Sequence, residues 1–367
     1  MKTLLSLTLF ILSFTSLSAN ENKVCQKCHP LIYKEYYNSI HRKSSLANDS
    51  IYKAVYEKES HGIKQQNCAA CHSPSAKTQE DAQQAPISCI YCHTIKDIKE
   101  GKQENKNVLS GKKRDFYTAQ ADKKNESKVK YGTTSSFFGL VKRSKNSPYH
   151  QIEYNNENYY NGNVCMGCHS HVNNAHGFDV IMLDAYIDKK DKNTCISCHM
   201  PQTMGSKTTL SDSKTHAYHG IAGIHNLSES LGKYIDVNVE KTPKGFVVKI
   251  KNQANHALFG QAYREGILQV SIQRAGKTIE LKPFLFKRTF GKDAKASMPF
   301  AATAVLKDTL IYEKKNINYD TQLQKGDTLT VFIGFRLISQ AAAKELHLPN
   351  SAELTKVKVL KTESFQF

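Results

Sequence analysis

The chain has no cysteine to spare. None of its ten cysteines stands outside a C-x-x-C-H pentapeptide, and none follows Cys198. Disulfide pairing has no use for a His after every second Cys, so a cross-linked secreted scaffold is a poor fit. Two C-x-x-C pairs could share a zinc ion, but five pairs leave one over. Beyond residue 19 no stretch is long or apolar enough to span a bilayer. No C-x-x-C is followed by Lys, and no long helical pattern interrupts the alternating segments after residue 232.

What is present is one motif five times: Cys25 to His29, Cys68 to His72, Cys89 to His93, Cys165 to His169 and Cys195 to His199. This is the attachment site of a c-type haem. Two cysteines three positions apart can each form a thioether to a porphyrin vinyl group. The following His then sits under the ring as the proximal iron ligand. Cys25, Cys28, Cys68, Cys71, Cys89, Cys92, Cys165, Cys168, Cys195 and Cys198 are therefore expected to hold five covalent haem c groups. His29, His72, His93, His169 and His199 are the expected proximal ligands.

Residues 1–19 read as a secretory signal, with Lys2, an apolar run from Leu4 to Leu17 and the small pair Ser18-Ala19. The run is about fourteen residues, short for a membrane span. The expected location is the periplasm, where haem is attached and free thiols would be oxidised. The formal charge of +18 shrinks once the cofactors are counted. Five haems bring about −10 in propionates and up to about +5 in ferric iron. Much of the lysine excess can neutralise the protein's own cofactors, with docking to an acidic redox partner as the alternative.

The expected domains are a signal at 1–19, a pentahaem region at 20–232 and a β-sandwich at 233–367. The haem region offers about forty residues per haem against ~100–150 for an ordinary domain, too few for a separate apolar core around each. The porphyrins must be the core, carried on short helices and irregular loops. The polar stretch Lys96 to Lys130 reads as a solvated loop or exposed helix. After Gly232, alternation at Ile235 to Val239, Phe246 to Ile250, Leu268 to Ile272, Thr278 to Leu281, Leu329 to Ile338 and Val357 to Leu360 marks strands, with turns between.

Ten histidines remain for the distal side of the irons. The candidates are His41, after an aromatic helix, His150 in a Tyr- and Asn-rich segment, His176 after the fourth motif, and the cluster His216, His219 and His225. His61 and His171 are weaker candidates. His256 and His347 fall among the strands and read as ordinary. This supply favours two imidazoles per iron, which lowers the potential.

Cys25 to His29 followed by Tyr37-Asn38-Ser39-Ile40-His41 resembles the opening of exported multihaem cytochromes c. That superfamily includes the tetrahaem electron acceptor of nitrifying bacteria and the haem-rich hydroxylamine oxidoreductases. The resemblance implies His41 as a distal ligand. Cys195 to Pro201, reading C-x-x-C-H-M-P, and the His216 to Asn226 run are similar to segments of the same superfamily. Asn252 to Arg264 resembles the start of a β-sandwich attached to some members. The implied function is electron transfer between redox partners in a respiratory chain: other cytochromes, a quinol dehydrogenase or a terminal reductase, with no nucleic acid. The alternative is a reductase or oxidase of a small nitrogen or sulfur compound at one five-coordinate haem.

Overall fold

A computed structural model describes residues 21–59, 66–76, 78–112, 115–126, 129–136, 141–145, 147–183, 193–210, 212–349 and 351–367. The expected signal and His61 lie outside them. Helix α1, Pro30–Asn38, follows the first motif and has proline in its first turn, where the missing N–H costs nothing. Its Ser39 cap donates from Oγ to the Tyr36 carbonyl at 2.7 Å, turning the chain into His41–Lys43. Helix α2, Ser50–Glu59, comes next. Three motifs end short helices: α3 at Gln66–His72, α4 at Cys89–His93 and α5 at Cys195–His199. The Ser88 and Thr194 side chains cap α4 and α5 by accepting backbone N–H bonds. The fourth motif begins on a 3-10 turn, Asn163–Cys165.

The stretch from Lys96 to Lys130 is neither a free loop nor a helix. Ile95–Lys99 pairs antiparallel with Lys106–Leu109, and Asp115–Tyr117 pairs in parallel with Gln151–Glu153. Asp115, Phe116 and Tyr117 are buried. A polar composition therefore hides a strand that packs inward.

After residue 232 the chain forms two larger antiparallel sheets. One is Ile235–Thr242, Gly245–Asn252 and Lys314–Tyr319. The other centres on Glu265–Arg274, flanked by Lys277–Glu280, Phe284–Phe286 and Thr328–Arg336, the last of which pairs with Lys358–Gln366. Phe246, Val248 and Ile250 from the first sheet share one apolar core with Leu268, Val270, Ile272, Leu329 and Ile333 from the second. The region is β-rich with its core between the two sheets. A smaller sheet over residues 288–308 was not legible as strands.

The two regions are joined by more than the chain. Asn174 Nδ2 donates to the Pro299 and Ala302 carbonyls at 2.9 and 2.7 Å, and Arg288 donates to the Val180 carbonyl at 2.7 Å. Gly232 lies against the Leu360 carbonyl, where a Cβ would collide. The change of texture thus falls at a packed joint.

Candidate haem sites

All ten cysteines are free thiols. Among the described residues no group of three or more His, Cys, Asp and Glu side chains could hold a metal ion by itself.

Four of the five motif histidines face a second histidine from elsewhere in the chain. His29 faces His150 with ring centres 6.2 Å apart, and His169 faces His41 at 6.1 Å. His93 faces His219 at 6.2 Å, and His199 faces His256 at 6.3 Å. Two metal–imidazole bonds of about 2 Å each, plus the ring radii, span about 6 Å. The gaps therefore fit a metal between two ring nitrogens.

The outer ring nitrogens are held by backbone. His29, His93 and His199 place Nδ1 at 2.6, 2.8 and 2.6 Å from the carbonyls of Lys207, Tyr117 and Ala222. His219 and His256 do the same with the Ala217 and Ala257 carbonyls at 2.6 and 3.0 Å. A carbonyl accepts only from N–H, so the proton is fixed on Nδ1 and Nε2 keeps its lone pair for iron. Burial, the dominant cause, holds the imidazoles of His41, His150, His169 and His219 down to about 4. They stay neutral, the state that ligates metal.

The second motif differs. Its His72 carries the Tyr52 ring stacked at 4.1 Å. Among the described residues no histidine ring faces it as the partners face the other four. Ser44 fixes the helix end by donating from Oγ to the His72 carbonyl at 2.7 Å.

Of the six histidines expected as distal candidates, the structure brings His41, His150 and His219 against motif histidines. The other three face no motif histidine among the described residues. His216 is buried, with Nδ1 2.9 Å from the Gly205 carbonyl and Nε2 3.0 Å from Glu35 Oε1, so neither lone pair is available to iron. His176 is exposed in a turn held by Asn174. His225 faces no motif histidine among the described residues and lies near Arg264 and Lys43. His256, read as an ordinary strand-region residue, instead faces the motif histidine His199. Its signal was there: residues 253–264 form a twelve-residue connection between strands, and long ordered connections tend to carry function.

The motifs also touch one another. Thiols of different motifs are neighbours: Cys25 lies beside Cys89, Cys71 beside Cys168 and Cys165 beside Cys195. Cys92 lies near both Cys165 and Cys168. The order of contact is first, third, fourth and fifth motif, with the second attached at the fourth. The packing is close enough to demand glycine. A Cβ at Gly167 would meet the Asn107 amide, which itself donates to Tyr91 Oη at 2.9 Å.

Residues 24–94 match the family described as "Cytochrome c554 and c-prime". No curated protein matches. Among solved structures, a penta-heme cytochrome c552 from Thermochromatium tepidum is similar over 94% of this chain and 98% of its own, with 20% identity and a TM-score of 0.69. The chain has the fold of a multihaem cytochrome c. Together with the free thiols and paired imidazoles, this supports covalently bound haem c in this protein.

Proposed function

We propose that this multihaem cytochrome binds five haem c groups and carries electrons between redox proteins outside the inner membrane. The observation that carries the reading is the set of four facing imidazole pairs. An iron held by two imidazoles has no position for substrate and exchanges electrons only. His29 with His150, His41 with His169, His93 with His219 and His199 with His256 would hold four such irons. The thiol contacts support one connected series of attachment sites. Partners of the expected kind are another cytochrome, a quinol dehydrogenase or a terminal reductase. Among the described residues no helix is long and apolar enough to cross a membrane. Export rests on the character of residues 1–19.

A spectropotentiometric titration tests this. Four haem equivalents should titrate as low-potential, bis-imidazole centres and exchange electrons with an added cytochrome. Potentials clustered near those of His/Met cytochromes would contradict it.

A second reading has its own observation. Among the described residues, which do not include His61, no histidine ring faces His72 as the partners face the other four, and an iron held there without a sixth ligand would have a position for a small molecule. Carbon monoxide should then bind the reduced holoprotein at one haem equivalent in five. No binding would remove the second reading and leave the first intact.

A further inference from the structure

Helix α1 carries one carboxylate, Glu35, and both of its oxygens are taken from within the molecule. Oε1 lies 3.0 Å from Nε2 of His216, and Oε2 accepts the backbone N–H of His219 at 2.9 Å. The His216 side chain is 2% exposed and that of Glu35 18%, so neither bond is a surface contact. Nδ1 of His216 lies 2.9 Å from the Gly205 carbonyl, an acceptor only, and therefore carries a proton. One further proton lies between Nε2 and Oε1, and the pair is neutral overall wherever it sits. A carboxylate that satisfies a buried imidazole and a backbone amide together strands both when it is removed.

The two partners belong to one short segment and end in different places. His216 lies on the strand Thr215–Ala217, which pairs with Gln202–Met204. The chain then leaves the strand, and His219 faces His93 with ring centres 6.2 Å apart. The His219 ring is held at Nδ1 by the Ala217 carbonyl at 2.6 Å, and its backbone by Glu35. Two anchors on one residue set the direction of Nε2. The same carboxylate occupies Nε2 of His216, the nitrogen that would otherwise be free for a metal. Helix α1 begins at Pro30, directly after His29, so an element of the first attachment site holds a residue of the third.

We propose that Glu35 is a positioning residue: it holds His219 at the iron attached through Cys89 and Cys92 and keeps His216 away from that iron. This rests on the reading of His219 as the distal ligand there. Glu35 acts through its two hydrogen bonds alone. Gln can reproduce both, because its oxygen accepts from the His219 N–H and its amide donates to Nε2 of a neutral His216. Ala reproduces neither, and Asp is one methylene too short to span both.

The oxidised holoprotein and its Glu35→Ala, Glu35→Gln, His216→Ala and His219→Ala variants are compared by electron paramagnetic resonance and by titration with cyanide, which displaces a weakly held distal imidazole. Haem content is recorded for each protein. His219→Ala should turn one low-spin haem high-spin and so mark the signal to follow. At that haem Glu35→Ala should raise cyanide affinity by about tenfold or more. Glu35→Gln should bring it back to within about threefold of the parent. His216→Ala should leave the haem low-spin. If Glu35→Ala does not reach the parent's haem content, Glu35→Asp is read in its place, with the same direction expected. Parent-like cyanide affinity in these variants, or a Glu35→Gln protein altered as much as Glu35→Ala, would overturn the positioning role. Complete loss of one low-spin haem in His216→Ala would make His216 the ligand and overturn it as well. An unchanged spectrum in His219→Ala would instead remove the reading beneath.

Discussion

The two regions of this chain are buried by different means. The largest fully buried side chains, among them Phe246, Phe286, Leu268, Ile272, Leu329 and Ile333, all follow residue 232. Before it, the buried set is rich in polar and aromatic groups: Asn22, Ser39, Ser45, Ser88, Asn105, Asp115, Tyr36, Phe116 and Tyr159. Sheets that pack face to face need branched aliphatic residues to fill the space between them. A region built on porphyrins needs short side chains that hold backbone in place and rings that lie against the cofactor. Phe116 stacks on His150 at 4.6 Å, and Tyr159 Oη donates to the Cys92 and Ile95 carbonyls. Among the described residues before 232, Val180 is the one buried leucine or valine, which fits a region whose interior is to be filled by cofactor.

The hardest way to break that contrast is to withhold haem. A chain with all ten cysteines changed to serine should lose the fold of residues 21–232 while the strands of 235–367 remain. Hydrogen exchange would show protection confined to the latter, whereas protection throughout would mean that porphyrin is not the core. Leu268→Ala attacks the other core and should cost about 2–5 kcal/mol in denaturant unfolding without altering the haem spectrum.

A comparable loss, about 3–5 kcal/mol, is expected from Glu265→Ala. That carboxylate is buried between Lys287 at 2.7 Å and Arg336 Nε at 2.8 Å, and its removal strands two cations. His256→Ala is smaller in stability and larger in spectrum. One low-spin haem should become high-spin, because a β-region residue faces His199. An unchanged spectrum would remove His256 as a ligand.

The smallest effect is one of pH. Arg274 holds Asp327 down to about 2, below its ordinary 3.8. A carboxylate with a depressed folded value stabilises above the unfolded value, and that stability fades as pH falls toward the folded one. Asp327→Asn should therefore be less stable than the parent at pH 7, and the difference should close between about pH 4 and pH 2.

The sequence made some of this legible and not the rest, for physical reasons. Attachment sites were readable because thioether chemistry fixes spacing along the chain. Strands such as Ile235–Thr242 were readable because a half-buried sheet imposes alternation. The facing histidines were legible only in part: His41, His150 and His219 stood among the candidates and His256 did not, since only a single lone pair is required and any fold-back can present it. His256 reaches His199 across 57 positions by way of a loop between strands. His216, in a glycine-flanked histidine cluster, spends both nitrogens on Gly205 and Glu35. Phe116 hid in a polar stretch because one inward strand of three residues leaves no periodic trace.

The central claim is that four motif histidines have a facing imidazole and that, among the described residues, His72 has none. Electron paramagnetic resonance of the fully oxidised holoprotein tests it most directly. The account predicts four low-spin ferric haems of bis-imidazole type and one high-spin haem. Five low-spin haems, or more than one high-spin haem, would contradict it.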